Sequence, residues 1–512
     1  MSVALGIDLG TSNSCAAAVR DDAVVVVEDD EGRRSMPSIV HFASTGRVVV
    51  GSRALPMLPS EPRNTIMSAK RFLGRRMNDP AVRVAQNAYL YRITVGPNNW
   101  PVIDAWGGPY AVPEICACVL RELKRRAEQF FGERIDKAVI TVPANADDAQ
   151  REQTRLAGRI AGLEVVGLLN EPTAAALAYS LTGASGERIL VYDFGGGTFD
   201  CSVIQWAVQS AKVLATHGDT FLGGDDVDLA MALSLATKFN EREGVDLRGR
   251  TVQWRRLLLA CEEAKRRLSR AERTTVEVPD VANTSRGVLD LAFELTRADL
   301  EILVEPIVRQ TIDLILDTLA LAGLDVYSVD QVLLVGGSSR LPLVRSSVRR
   351  ALGKTPLFDL DPDTAVAIGA AIEAHRLQGG TCPSLERLPR EIVQVVPHAI
   401  GLATAGGGFD PVIPRNSPLP VIGERSYTTW REAQQEMRFV VLQGDSANAA
   451  DNARLGAFVI DDLPRRPAGE VEVKLTLEVG TDGLLRASAR DTFSNKVHRY
   501  RIRVSESPRG GW

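Results

Sequence analysis

The feature that most constrains this chain is a repeat. Residues 4–19 read ALGIDLGTSNSCAAAV and residues 190–204 read LVYDFGGGTFDCSVI. Each segment is a strand that ends in Asp, turns through Gly and Thr, and enters a second strand. Two such hairpins far apart in the chain imply a duplicated α/β unit with a cleft between the copies. Gly10 in the first and Gly195, Gly196 and Gly197 in the second let backbone N–H groups approach a phosphate without Cβ interference. Thr11, Ser12, Asn13 and Thr198 add short side-chain donors. Asp8 and Asp193 end the two strands, aimed at one place, and two carboxylates share a dry site only with a cation between them. Mg2+ held through water by carboxylates and phosphates is the natural occupant. Either hairpin alone reads equally well as a tight turn. The pair, each with Asp before its glycines and Thr after them, does not. No G-x-x-x-x-G-K-[ST] occurs, which excludes a P-loop enzyme.

The chain has 512 residues, more than one hydrophobic core usually serves, so about two to four domains are expected. Apolar strand runs at 4–7, 138–142, 189–192 and 332–335 alternate with helical patterns such as 114–131 and 147–161, the signature of an α/β core. The last part differs. Val471, Val473, Leu475, Leu477 and Val479 alternate with Glu472, Lys474, Thr476 and Glu478, and Thr481-Asp482-Gly483 supplies a turn. Tyr500, Ile502 and Val504 then alternate with Arg499, Arg501 and Arg503. Period two over that length means half-buried antiparallel strands. The change of pattern falls where Gly379, Gly380, Pro383, Pro389 and Pro397 cluster, a linker composition. The expected division is an α/β part over 1–378, a linker over 379–397 and a β part over 398–512.

Charge and cysteine narrow the function. Lys and Arg total 60 against 64 Asp and Glu, a net charge of -4 with no basic run, so no electrostatic footprint for nucleic acid is present. Six cysteines are too sparse for a disulfide framework. Cys116 and Cys118 form a C-x-C inside a predicted helix with no second ligand pair nearby, which argues against zinc. The opening MSVALGIDLG runs into a strand without a basic start or a cleavage site. No apolar stretch reaches the ~18 residues of a membrane span. The chain reads as cytoplasmic, with neither nucleic acid nor membrane as a partner.

GIDLGTSNS, VPANADDAQR, AGRIAGLEVVGLLNEPTAAALAY, VYDFGGGTFD and LLVGGSSRLP stand in this order and together resemble the DnaK-type heat-shock chaperone family, from about residue 3 to about residue 506. The resemblance implies an actin-like ATPase domain of duplicated ribonuclease-H-like subdomains over 1–378, followed after the linker by an antiparallel β-sandwich. It implies an ATP-dependent molecular chaperone that hydrolyses ATP to ADP and phosphate and binds extended hydrophobic segments of unfolded proteins. Its ligands would be ATP or ADP and Mg2+, with K+ a further candidate ion. Lys70 in SAKRFLGRR matches the lysine that positions the attacking water, Glu171 the catalytic glutamate, and Thr198 the threonine beside the γ-phosphate. A lysine for the phosphate oxygens, a carboxylate to orient water and a divalent ion cover what phosphoryl transfer needs. In CEEAKRRLS, Glu262 and Lys265 match the ribose contacts and Arg266 the residue that stacks on adenine. Taken alone, that trio reads as a solvated helix pair. Gly336, Gly337 and Ser338 match nucleotide contacts, Arg340 a second base contact, and Asp363 a residue near the nucleotide. Pro143 and Arg151 match positions that couple the nucleotide state to the rest of the molecule.

HAIGLATAGGG and MRFVVLQGD resemble the peptide-gripping β-domain of the family. By position Leu402, Tyr427, Met437 and Phe439 would line the pocket, and Ala405 and Trp430 would arch over the peptide. The same residues read equally as the domain's own core. Met437 and Trp430 are bulkier than the family pattern, which implies an altered peptide preference or weaker binding. The chain stops at Trp512, so a helical lid is not expected and peptide off-rates would be fast. The family's leucine-rich linker reads here Arg390-Glu391-Ile392-Val393-Gln394-Val395-Val396. Gln394 replaces an aspartate, and Gly167 replaces an arginine. Both family residues help receive the J-domain co-chaperone, so their loss argues against that partner. A nucleotide-exchange factor remains an implied partner. Two other readings are an actin-fold small-molecule kinase and a nucleotide-dependent scaffold or regulator. Lys70, Glu171 and Thr198 favour hydrolysis over the scaffold.

Overall fold

The computed structural model describes residues 3–501 apart from 81, 84–85, 87–88, 182–187, 208–209, 286, 359, 381, 383–384, 386–387, 390 and 482, and the backbone alone at Arg499 and Arg501. Of the positions used above, Pro383, Arg390, Asp482, Ile502, Arg503, Val504 and Trp512 lie outside the described residues.

The two repeated hairpins each start a sheet. In the first sheet, strand Ala4–Asp8 pairs antiparallel with Asn13–Arg20, which pairs with Ala23–Val26. On its other side Ala4–Asp8 runs parallel to Lys137–Val142, and that strand parallel to Glu164–Asn170. The second sheet repeats the plan. Arg188–Phe194 pairs antiparallel with Phe199–Trp206, which pairs with Ser210–Asp219, while Gln331–Val335 lies parallel beside Arg188–Phe194. Between the sheets lie helices Glu171–Ser180 and Ala365–Leu377, and one core joins them: Ala4 and Val139 from the first sheet, Val191, Val213 and Leu333 from the second, and most of the alanines of both helices. Small residues keep this layer thin. A Cβ on Gly6 would sit 1.9 Å from the backbone nitrogen of Ala371, and one on Gly369 only 1.8 Å from the carbonyl oxygen of Ala174.

The C-terminal part is two four-stranded antiparallel sheets sharing one core. Phe409–Ile413, Ile400–Ala403, Met437–Gln443 and Ala453–Ile460 make one sheet; Val421–Thr428, Glu472–Val479, Leu485–Asp491 and Val497–Arg501 make the other. The alternation seen in sequence holds: Val473, Leu475, Leu477 and Val479 are buried, and the residues between them face out or are half-buried. Inside the segment of linker composition, Glu391–Val393 adds a short edge strand parallel to residues 210–212 of the second α/β sheet. The chain crosses between cores within one peptide unit, since Val395 is buried in the α/β core and Val396 in the β core.

Polar contacts fasten the two parts. The Asp148 N–H donates to Gln443 Oε1 at 3.2 Å and the Leu485 N–H to Asp148 Oδ1 at 3.4 Å. Arg415 donates to the Thr216 carbonyl at 3.1 Å and to Asp445 at 3.0 Å. Because Gly6 meets backbone rather than a movable side chain, Gly6→Val is expected to cost on the order of 1–3 kcal/mol or more through overpacking. Urea unfolding measures it, and an unchanged midpoint would show that the helix layer yields.

Candidate functional site

The two hairpins meet. A Cβ on Gly196 would lie 1.9 Å from Ser12 Oγ, and one on Gly197 would lie 2.7 Å from Thr11 Cγ2 and 2.4 Å from Arg71 Nε. A cavity of about 600 Å3 opens beside this contact. Of the residues singled out in sequence it is lined by Asp8, Gly10, Thr11, Ser12 and Asn13 from the first hairpin and by Asp193, Gly195, Gly196 and Thr198 from the second. Lys70, Glu171, Glu262, Lys265, Arg266, Gly336, Gly337, Ser338, Arg340 and Asp363 complete that set. Gly197 does not line it; its place is against Arg71 and Thr11. Gly336 adopts φ +78, and a Cβ there would strike the Phe194 carbonyl at 2.4 Å, so glycine is required for the close approach. Ser338 Oγ donates to the Gly195 carbonyl at 2.8 Å, tying the strand Gln331–Val335 side to the second hairpin.

Lys70 sits on the short 3-10 turn Ala69–Phe72, entered through Ser68 at φ 53. Glu171 is the first residue of helix Glu171–Ser180, with Pro172 next, where the helix dipole favours a carboxylate. The two side chains form a buried ion pair, Lys70 Nζ to Glu171 Oε1 at 2.5 Å. Burial works against the Lys70 ammonium, but Glu171 and Asp8 outweigh it and raise its hold on the proton. Thr141 Oγ1 donates to Asp8 Oδ1 at 3.2 Å. Burial first, then repulsion from Glu171, pushes the Asp8 carboxyl up to about 7. Burial, with Glu171, Asp200 and Asp8, holds Asp193 far above the ordinary carboxylate range. Asp200, opposite Asp193 in register, is pushed up to about 7 by burial and by Glu171.

Asp8, Glu171, Asp193 and Asp200 therefore crowd one buried ammonium. Such a donor set fits a missing positive charge. Among the described residues no three His, Cys, Asp or Glu side chains are grouped to hold a metal by themselves. Asp8 and Asp193 line the cavity and would hold Mg2+ together with its waters and phosphate oxygens.

Away from this cluster, Lys265 donates to Asp228 at 2.8 Å and to the Gly224 carbonyl at 2.9 Å. Arg266 pairs with Glu262 at 2.6 Å on one helix face and stays largely exposed, so the solvated pair and the cavity lining coexist. Arg340 bonds Asp363 at 2.9 Å and Asp361 at 2.5 Å. Pro143 is buried at the end of strand Lys137–Val142. Arg151 is buried, donates to Asn170 Oδ1 at 2.7 Å, and lies 3.2 Å from where a Gly483 Cβ would be. In the β part, Leu402, Met437 and Phe439 are buried in the shared core, and Phe439 packs edge-on against Tyr427 at 5.6 Å. The Tyr427 hydroxyl donates to Asp410 at 2.8 Å. Ala405 is exposed, and Trp430 is 67% exposed with the Arg431 guanidinium over its ring. Sequence reasoning passed over Asp200, Asp228 and Arg71. Strand pairing opposite Asp193 was the available signal for Asp200; the other two carried none.

This cleft suits a phosphate chain and its divalent ion, so the class is a nucleotide-handling α/β protein. A family model described as Hsp70 protein matches residues 4–509, nearly the whole chain, and the chain belongs to that family. It is an ATP-dependent chaperone and an ATPase that uses ATP or ADP with Mg2+, and the family binds unfolded polypeptide. Among the described residues no helix is long and apolar enough to cross a membrane.

The raised carboxyls carry a pH consequence. Asp8 and Asp200 ionise near 3.8 in an unfolded chain and near about 7 here. Between those values the folded chain binds more protons than the unfolded one, so unliganded stability falls as pH rises from about 4 to about 7. A bound cation removes that cost. The gain in thermal midpoint from Mg2+ plus ADP is therefore expected to be larger at about pH 8 than at about pH 6. Equal gains in a thermal-shift titration would contradict this.

Proposed function

We infer that this chain couples ATP hydrolysis in an actin-like domain over 1–378, built of duplicated ribonuclease-H-like subdomains, to peptide binding by a β-sandwich over 398–512, through the linker 379–397. The observation that carries this reading is the buried Lys70–Glu171 pair at 2.5 Å beside two touching hairpins. Glu171 orients the attacking water. The Lys70 ammonium and Thr198 meet charge developing on the transferred phosphoryl group. Asp8 and Asp193 hold Mg2+ through water, and bound Mg2+ supplies charge neutralisation at the phosphates. Gly10, Thr11, Ser12, Asn13, Gly195 and Gly196 form the phosphate cradle, while Gly197 packs behind it against Arg71 and Thr11. Glu262, Lys265, Arg266, Gly336, Gly337, Ser338, Arg340 and Asp363 hold the nucleoside side, and K+ is a further candidate ion.

A short path supports coupling. Asn170 immediately precedes Glu171; its side chain accepts from Arg151 and its N–H donates to Gln394 Oε1 at 3.3 Å. Gln394 lies in the linker, and Arg151 touches the β part at Gly483. Arg151 serves on this path as a coupling residue, and Pro143 is retained as a second on the family resemblance alone. Gly167 and Gln394, standing where the family carries an arginine and an aspartate, support loss of the J-domain partner. A nucleotide-exchange factor is retained as a partner, and the compartment is cytoplasmic.

Leu402, Tyr427, Met437 and Phe439, with Ala405 and Trp430, make the peptide region. The packing of Leu402, Met437 and Phe439 supports an altered preference, so a leucine-rich model peptide is expected to bind weakly by fluorescence anisotropy. Tight binding would oppose it. Glu171→Gln is expected to lower kcat about 10²-fold while keeping Mg-ADP affinity. Steady-state ATPase assays with and without unfolded peptide test both halves: peptide stimulation supports coupling, and a fully active Glu171→Gln variant would remove the catalytic assignment.

A further inference from the structure

Asn145 stands out by what its side chain lacks. It is 6% exposed, and neither its Nδ2 nor its Oδ1 has a hydrogen-bond partner. No other side chain among the described residues has both ends buried and unpartnered. Buried polar groups in folded proteins are nearly always satisfied, by protein or by ordered water. A carboxamide left in this way therefore marks a place for a water with polar neighbours.

The neighbours are the hydrolytic machinery. Strand Lys137–Val142 ends with Val142 in register with Asn170, so the turn that carries Asn145 lies beside the start of the Glu171 helix. The Asn145 N–H donates to Asp200 Oδ1 at 3.3 Å. Asp200 pairs with Gly218 on the next strand, and a Cβ on Gly218 would lie 2.4 Å from Asn145 Nδ2. The amide is thus pressed against a strand where glycine alone leaves room. Asp200 stands opposite Asp193, and Glu171 and Lys70 act on it electrostatically.

We propose that Asn145 is a positioning residue for ATP hydrolysis, its carboxamide and one buried water holding the Asp200 carboxylate and, through it, the field at the Lys70–Glu171 pair. The inference rests on the reading of the site above. Asn145 does not line the cavity, so its loss is expected to alter turnover and not binding.

Asn145→Leu in the full chain tests it, being close in shape and unable to hold the water. The kcat for ATP is expected to fall about tenfold, the scale for a supporting polar partner. Calorimetric affinity for Mg-ADP is expected to be unchanged, and the thermal midpoint to shift little, since carboxamide and water are replaced together by an apolar side chain of similar shape. Asn145→Ser, which keeps a hydroxyl for the water, is expected to recover most of the loss. A purely structural role would move stability and kcat together. A leucine variant at full kcat, or leucine and serine variants with equal kcat, overturns the proposal. Should the leucine variant not fold, Asn145→Ser against Asn145→Ala replaces it: serine several-fold faster supports the proposal, and equality overturns it. If the unaltered chain hydrolyses no ATP, the reading of the site falls first and this inference with it.

Discussion

Everything at the cleft depends on how closely two sheets can approach across a layer of small residues. Helices Glu171–Ser180 and Ala365–Leu377 bury alanines almost throughout, and Gly6 and Gly369 let one helix lie against backbone on both sides. A thicker layer would part the sheets. The hairpins at their ends would then separate, and the Ser12–Gly196 contact would be lost. Packing density in a protein interior leaves little slack, so a thin layer at the core becomes a fixed separation at the cleft.

Bringing the hairpins together concentrates charge. Asp8, Asp193, Asp200 and Glu171 share a buried region with Lys70. Burial of that many carboxylates costs stability unless positive charge is supplied. The chain accepts this cost where it serves chemistry. Lys70 is held by Glu171 and by Asp8, which raise its hold on the proton in a place where burial works against the charge. The same strand ends also connect outward: Asn170, one residue before Glu171, meets both Arg151 and Gln394. Gln394, next to the edge strand Glu391–Val393 that lies on residues 210–212, thus stands one hydrogen bond and one peptide link from Glu171.

The hairpins and the period-two strands were legible because their signals are local. Asp before glycine and threonine after it marks a strand end and a tight turn, and Val473 to Val479 alternates cleanly. The Lys70–Glu171 pair was different. The two residues lie 101 positions apart, and only the resemblance joined them. Lys265 with Asp228 and Arg71 with Asp226 escaped for the same reason, since nothing local marks a partner that tertiary folding delivers. The edge strand Glu391–Val393 is three residues long, too short for periodicity to register. Leu402, Met437 and Phe439 show the opposite limit: an apolar residue facing inward on a strand looks the same whether it fills a core or lines a pocket. Asn145 gave no signal at all, because an unpaired amide is visible only once its surroundings are.

The central claim is that the Asp8 and Asp193 hairpins clamp a nucleotide through a divalent ion. Calorimetric titration of the purified chain with ADP, in Mg2+ and then in excess chelator, tests it most directly. The expected result is tight binding that depends on Mg2+ and weakens strongly when the ion is withdrawn. Equal affinity in both conditions, or no binding in either, would contradict it.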